Sequence, residues 1–304
     1  MNGDTYYYPI LFLIPDFSEQ EVERPPVRLA KRRWITSTFD LATLATKHKL
    51  NLPYQVIDVF LSHCNLELCL NGQSSIEQAN ATFEAFRLGL YASGISPFIA
   101  PFITTHSIND YSGINSRDSD LLRDSLPPGM KEGVRSGEAI LEAWPFELSL
   151  KCIVLENGLK ISEKTLIEAV EKATAWIKLV EKYPTLRPVQ DVVNSAHLFL
   201  WYHQSLLHLW SAIESLFPGV STELSFRIAV YLAQLIGSRS KRLEWFEKVR
   251  AAYNLRSKIT HGSRQEITEK EWHNTWLILM GAINSVISRE SLPSEKELIK
   301  ELLS

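Results

Sequence analysis

From Ser162 to the C-terminus the sequence carries one amphipathic segment of helical period after another, and this restricts that part of the chain to packed helices. The first segment opens on Ser162-Glu163-Lys164-Thr165 and runs to about Glu181. Tyr183-Pro184-Thr185-Leu186-Arg187-Pro188 then breaks it, because each proline removes a backbone donor. Further helices are expected over about 192–217, 222–236, 241–261 and 269–287, with a short one beginning near Ser294.

The chain before Ser162 reads differently. Short β-rich runs at 6–14 and 147–155 predict strands, while 33–47 and 75–91 predict helices. The stretch 107–135, rich in Ser, Asp, Asn, Gly and Pro, predicts a long mobile loop, either a lid or a linker. The expected fold class is therefore α+β. A mixed α/β N-terminal region, residues 1–182 with its connecting helix, precedes an all-α bundle over 183–304, the boundary falling near Tyr183.

An apolar fraction of 45% is ample for a packed core, and a net charge of −3 excludes a generally basic nucleic-acid coat. The apolar run 6–14 is far shorter than the roughly 20 residues a bilayer span needs, and no basic region precedes it. A soluble, cytoplasmic protein without signal peptide or membrane contact is expected. Cys64, Cys69 and Cys152 are odd in number and lack ligand-like spacing, which argues against a disulfide scaffold or a zinc site. With no Gly-rich phosphate loop either, no metal and no cofactor is expected.

Charge is unevenly distributed. Arg239, Lys241, Arg242, Lys248, Arg250, Arg256, Lys258 and Arg264 face only Glu244 and Glu247 between residues 238 and 264. Such a run either attracts a polyanion or is a solvated helix face.

Within the helix expected at 241–261, Trp245, Val249, Ala252 and Ile259 form an apolar stripe that includes Arg256. A guanidinium on such a stripe cannot lose its proton and needs a partner. On an earlier helix Leu200, His203, Leu207, Trp210 and Glu214 share a face, so Glu214 is expected to meet Arg256. Arg250, Asn254, Ser257 and His261 form a second, polar stripe. Gly262 suits the residue after the helix end, which places His261 beside free carbonyls that favour its charged form while Lys258 opposes it. A histidine so placed suits general acid–base chemistry. The bland alternatives are an interhelical Arg–Glu strut and a histidine that merely caps.

Three blocks bear on that choice: Ser211-Ala212-Ile213-Glu214-Ser215-Leu216, then Glu223-Leu224-Ser225-Phe226-Arg227-Ile228-Ala229, then Tyr253-Asn254-Leu255-Arg256-Ser257-Lys258-Ile259-Thr260-His261-Gly262. In order and interval they resemble the Apea-like branch of the HEPN superfamily, over about residues 191–287. The resemblance implies a HEPN-type helical bundle in which an Arg-x4-6-His motif cuts RNA without a metal, often in a cleft shared by two protomers. Carried onto this chain, it implies His261 as acid or base, Arg256 stabilising the scissile phosphate and Glu214 orienting Arg256. Products would carry a 2′,3′-cyclic phosphate. Ser257, Asn254, Lys258, Arg250 and Arg227 are further candidates for holding phosphate. Such domains commonly act as toxins or antiviral-defence effectors, and a homodimer with RNA as substrate is expected.

Five residues of ideal helix turn through about 500°, leaving Arg256 and His261 roughly 140° apart. This separation also argues for a site completed by a second protomer. A non-catalytic RNA- or nucleotide-binding module and a purely structural dimerisation domain are the alternative functions. Residues 1–160 match no recognised pattern, and a regulatory ligand or protein is their expected partner.

Other constellations are weaker. His197, His203 and His208, expected on one helix, lack the spacing of four that clamps a metal. His63, Cys64 and Cys69 have no orienting acid for a nucleophile pair. Of the tryptophans, Trp272 and Trp276 are the candidates for stacking on bases.

Overall fold

Tyr6, Tyr8 and Ile10 alternate with Tyr7 and Pro9 along the first strand, and that alternation sets the two faces of a sheet. The structure, a computed structural model, describes residues 4–47, 62–126, 131–135, 141–143, 155, 158–220, 222–264 and 266–303. The chain is α+β and forms two compact units that interleave in sequence. Residues 1–83, 95–146 and 154–167 make the first; residues 84–94, 147–153 and 168–304 make the second. The boundary expected near Tyr183 thus falls inside the second unit.

In the first unit β1 (Asp4–Leu11), β2 (Ile14–Pro15), β3 (Glu21–Arg24), β4 (Val27–Lys31), α1 (Thr38–Lys47), β5 (Cys64–Gln73) and the first half of α2 (Ile76–Ala92), whose remainder from Glu84 belongs to the second unit, follow in order. β6 (Phe102–Thr104), two short helices α3 (Ile114–Arg117) and α4 (Asp120–Ser125), β7 (Leu141–Ala143) and β8 (Lys160–Ile161) complete it. The main sheet is antiparallel in the order β3-β4-β5-β1-β6-β7, and β2 pairs with β8 in parallel. Register places Leu68 between Tyr8 and Leu29, so these three share one buried face. Against it lies α2, whose Phe83 stacks on Tyr8 at 4.1 Å.

The opposite face is polar at its centre. Buried Glu67 accepts hydrogen bonds from the Ser107 hydroxyl at 2.8 Å and the Ile108 N–H at 2.6 Å, with Arg32 Nε 3.4 Å away. Burial pushes its carboxyl up, although these donors and Arg32 oppose that. The stretch 107–135 therefore differs from the mobile loop expected. Where described, it contains α3, α4 and a 3-10 turn at Ile108–Tyr111, with Ile108, Tyr111, Ile114 and Val134 buried. Thr36 donates to Ile108 O, and Arg117 donates to Asp110 O and Val134 O. Apart from Leu155, the strand expected at 147–155 lies outside the described residues.

Every described element of the second unit is helical. α5 (Glu163–Lys182) begins in the first unit, and its part in the second crosses the second half of α2 so closely that a Cβ on Gly89 would stand 2.3 Å from Ala169 O. After a 3-10 turn at Pro184–Leu186 come α6 (Arg187–Ser195), α7 (Tyr202–Ser215), α8 (Leu224–Ile236), α9 (Arg242–Thr260), α10 (Glu269–Arg289) and α11 (Glu295–Leu303). α9 packs along α8, and α10 along α7. The single helix expected over 192–217 is in fact broken after Ser195: a 3-10 turn at Ala196–Leu198 precedes α7. The carbonyl freed at Ala196 accepts from the Ser205 hydroxyl at 2.5 Å, and Ser205 Oγ in turn accepts from Trp272 Nε1 at 2.6 Å. Tertiary bonds thus replace the helical ones that the break removes. Accordingly His197 lies in the turn, away from His203 and His208 on α7.

Candidate active site

Val249, Ala252, Tyr253 and Leu255 form the buried face of α9. Tyr253 meets Trp210 of α7 edge to face at 5.2 Å, which fixes the relation of the two helices at this level. Arg256 follows Leu255 at the margin of that face, and its Nη2 lies 3.2 Å from Glu214 Oε1. The side chains are 28% and 27% exposed, so the expected meeting occurs at the edge of the interface rather than within a core.

The difference has a local cause. Leu206, Leu209, Trp210, Ala212 and Ile213 are the buried apolar positions of α7, whereas His203, Leu207 and Glu214 are intermediate and Leu200 is exposed and precedes the helix. The stripe read from the sequence follows the rim of the buried face. Arg256 also lies over the Tyr253 ring, with Cζ 5.5 Å from its centroid. Burial pushes the Tyr253 phenol up, Arg256 pulls it down and Glu214 pushes it up.

α9 ends in a doubly bonded cap. Gly262 takes a φ of +69°, its N–H reaches Ile259 O at 3.0 Å, and the Ser263 N–H reaches Lys258 O at 2.9 Å. His261 is consequently the cap residue, its own N–H bonded to Ser257 O at 3.0 Å. Its imidazole is exposed and forms no hydrogen bond or ion pair among the described residues. No hydrogen bond joins it to Arg256.

The remaining candidates divide. Ser257 is half-buried beside this end, and Arg250 is exposed, its guanidinium 5.9 Å over the Phe246 ring. Asn254 and Lys258 line a groove that involves α10. Arg227 belongs elsewhere, paired with Glu295 at the start of α11 and donating to Thr222 Oγ1 at 3.1 Å. The hydrogen bonds with Tyr231 and Glu295 raise its pKa.

One expectation changes. Trp272 and Trp276 are fully buried and stacked on each other at 5.3 Å, so neither offers a face to a base. On α10 they sit at the spacing of four that belongs to its core stripe. Cys64 is buried too, and burial pushes its thiol up to about 12, too high for a nucleophile near neutrality. Among the described residues no three His, Cys, Asp or Glu side chains are placed to hold a metal ion, and no helix is long and apolar enough to cross a membrane.

Tyr253 was not singled out by sequence, although its place beside Ala252 on the helix was the available signal. Glu271 was also missed; it forms a capping box with Thr268, a pattern visible in Thr268-x-x-Glu271. No protein-family model matches the chain, and neither a curated protein nor a solved structure does.

Proposed function

We propose that the second unit is a HEPN-type, metal-independent endoribonuclease acting on RNA as a homodimer, in the cytoplasm, as a toxin or antiviral-defence effector. The observation that carries this reading is the Glu214–Arg256 pair. Glu214 Oε1 lies 3.2 Å from one terminal nitrogen of a guanidinium that stays 28% exposed, close enough for an ion pair, and none of the guanidinium N–H groups forms a hydrogen bond among the described residues. A partly exposed cation beside one carboxylate, with its N–H donors unused, suits a phosphate.

In this reading His261 takes the proton of a ribose 2′-hydroxyl as that oxygen attacks phosphorus. The P–O2′ bond forms, the P–O5′ bond breaks, and the departing 5′-oxygen takes a proton from an imidazolium. Arg256 offsets the charge gathering on the phosphoryl oxygens, and Glu214 positions Arg256. The products are a 2′,3′-cyclic phosphate and a 5′-hydroxyl. The separation of Arg256 and His261 around one helix is met by two protomers sharing a cleft, with the first unit sensing a regulatory ligand or protein. RNA cleavage by the wild type, His261→Ala and Arg256→Ala tests the assignment, since equal activity in all three would remove it.

A further inference from the structure

Beside the C-terminal half of α9, on a face distinct from the Glu214–Arg256 pair, lies a groove of about 250 Å³ reaching α10. Its polar lining is Lys248, Asn254, Lys258, Arg264, Glu271 and Asn274. The charges do not cancel. Glu271 is held by Arg264 in a two-pronged pair at 2.8 and 3.0 Å, and it also accepts from the Thr268 N–H at 2.8 Å and hydroxyl at 3.0 Å. That single carboxylate is thereby used up.

Lys248 and Lys258 remain, with no carboxylate partner among the described residues; Lys248 rests 4.8 Å over the Trp245 ring. The carboxamides of Asn254 and Asn274 likewise form no hydrogen bond there. The lysines are ten positions apart, about 15 Å along a helix axis. That span exceeds one phosphate and suits a run of them. Ala251 and Leu255 supply an apolar strip between, and a carboxamide both donates and accepts, as a ribose 2′-hydroxyl requires.

We infer that this groove binds the sugar–phosphate backbone of single-stranded RNA, with Lys248 and Lys258 on phosphates and Asn254 and Asn274 toward ribose. The inference rests on the ribonuclease reading only in identifying the strand as substrate. Binding itself is independent of cleavage.

The test is fluorescence anisotropy of a short labelled single-stranded RNA with the full chain carrying His261→Ala, over a range of salt. Replacing Lys248 and Lys258 together with alanine should raise Kd about tenfold and reduce the slope of log K against log salt by about 1.4, or about 0.7 per phosphate contact. The corresponding Lys→Arg pair should restore binding. Arg239→Ala with Lys241→Ala makes the same charge change outside the groove and should shift Kd by less than about twofold.

Unchanged Kd and slope in the groove pair would overturn the inference, as would equal weakening by the control pair or absence of RNA binding. Equally tight binding of polyglutamate would also overturn it and assign the groove to an acidic polypeptide. Cleavage is measured separately on chains retaining His261. If cleavage depends on His261 but the groove pair binds normally, the groove inference falls and the ribonuclease reading stands. Groove-dependent binding without cleavage gives the converse.

Discussion

Glu214 Oε1 and Arg256 Nη2 lie 3.2 Å apart across two helices, each side chain retaining more than a quarter of its exposure. Solvent screens such a pair, so its coupling in a double-mutant cycle should be about 0.5–1 kcal/mol rather than the several expected on breaking a fully buried one. Urea denaturation of the two single alanine variants and the double variant measures this. Arg256→Ala should meanwhile slow RNA cleavage about 100- to 1,000-fold. A loss of about 3 kcal/mol in Arg256→Ala, with a wild type that neither binds nor cuts RNA, would identify the pair as a strut.

His261→Ala should unfold within about 0.5 kcal/mol of the wild type, because the imidazole is exposed and makes no bond among the described residues. Gly262→Ala should instead cost about 1 kcal/mol, since a side chain is strained at a φ of +69°. In cleavage assays the first change should abolish activity, whereas the second should reduce it by displacing the helix end. Thermal melts alongside single-turnover assays separate the two effects.

Ser205 serves two buried groups, accepting from Trp272 Nε1 and donating to Ala196 O. Ser205→Ala leaves both unsatisfied and should cost about 2 kcal/mol in chemical denaturation, despite removing only one oxygen. A near-neutral result would mean that the helix break does not depend on this link.

Burial lowers the pKa of His208, with Asp191 opposing, and its Nε2 lies 3.0 Å from Ser195 Oγ. The unfolded chain then binds the proton more readily than the folded one. The contribution from neutral His208 is complete above the ordinary histidine value near 6.5 and is lost as pH falls through the lower folded value. Unfolding free energy should therefore decline below about pH 6.5, and His208→Gln should flatten that decline. Denaturant midpoints across this range read it directly.

Gly89→Ala would set a methyl group 2.3 Å from Ala169 O, a backbone atom with little room to yield. The variant should lose about 1–3 kcal/mol by overpacking. Urea midpoints of Gly89→Ala and of Gly219→Ala, where an added Cβ meets nothing within 4 Å, give the comparison.

Local signals survived the passage from sequence to structure best. Gly262 ended α9 where a left-handed residue was needed, and the spacing of Arg256 and Glu214 was enough to pair them, although the burial of that pair was misjudged. The α7 break was hidden because no proline or glycine marks 196–201; it rests on Ser205 and Trp272, distant in sequence. Strands β3 to β5 were missed for a similar reason. Glu67 and Arg28 interrupt the apolar pattern of a face whose partners are identified only by register. The groove required α10 to be placed beside α9, which no spacing within one helix supplies.

The cap at the end of α9 has one more implication. The position of His261 in space is set by main-chain bonds at Ser257, Ile259 and Lys258, while its ring takes no part in them. Position 261 is thus a socket whose fitting is interchangeable. A full set of substitutions there would rank side chains by the chemistry they deliver, largely unconfounded by whether the chain still folds.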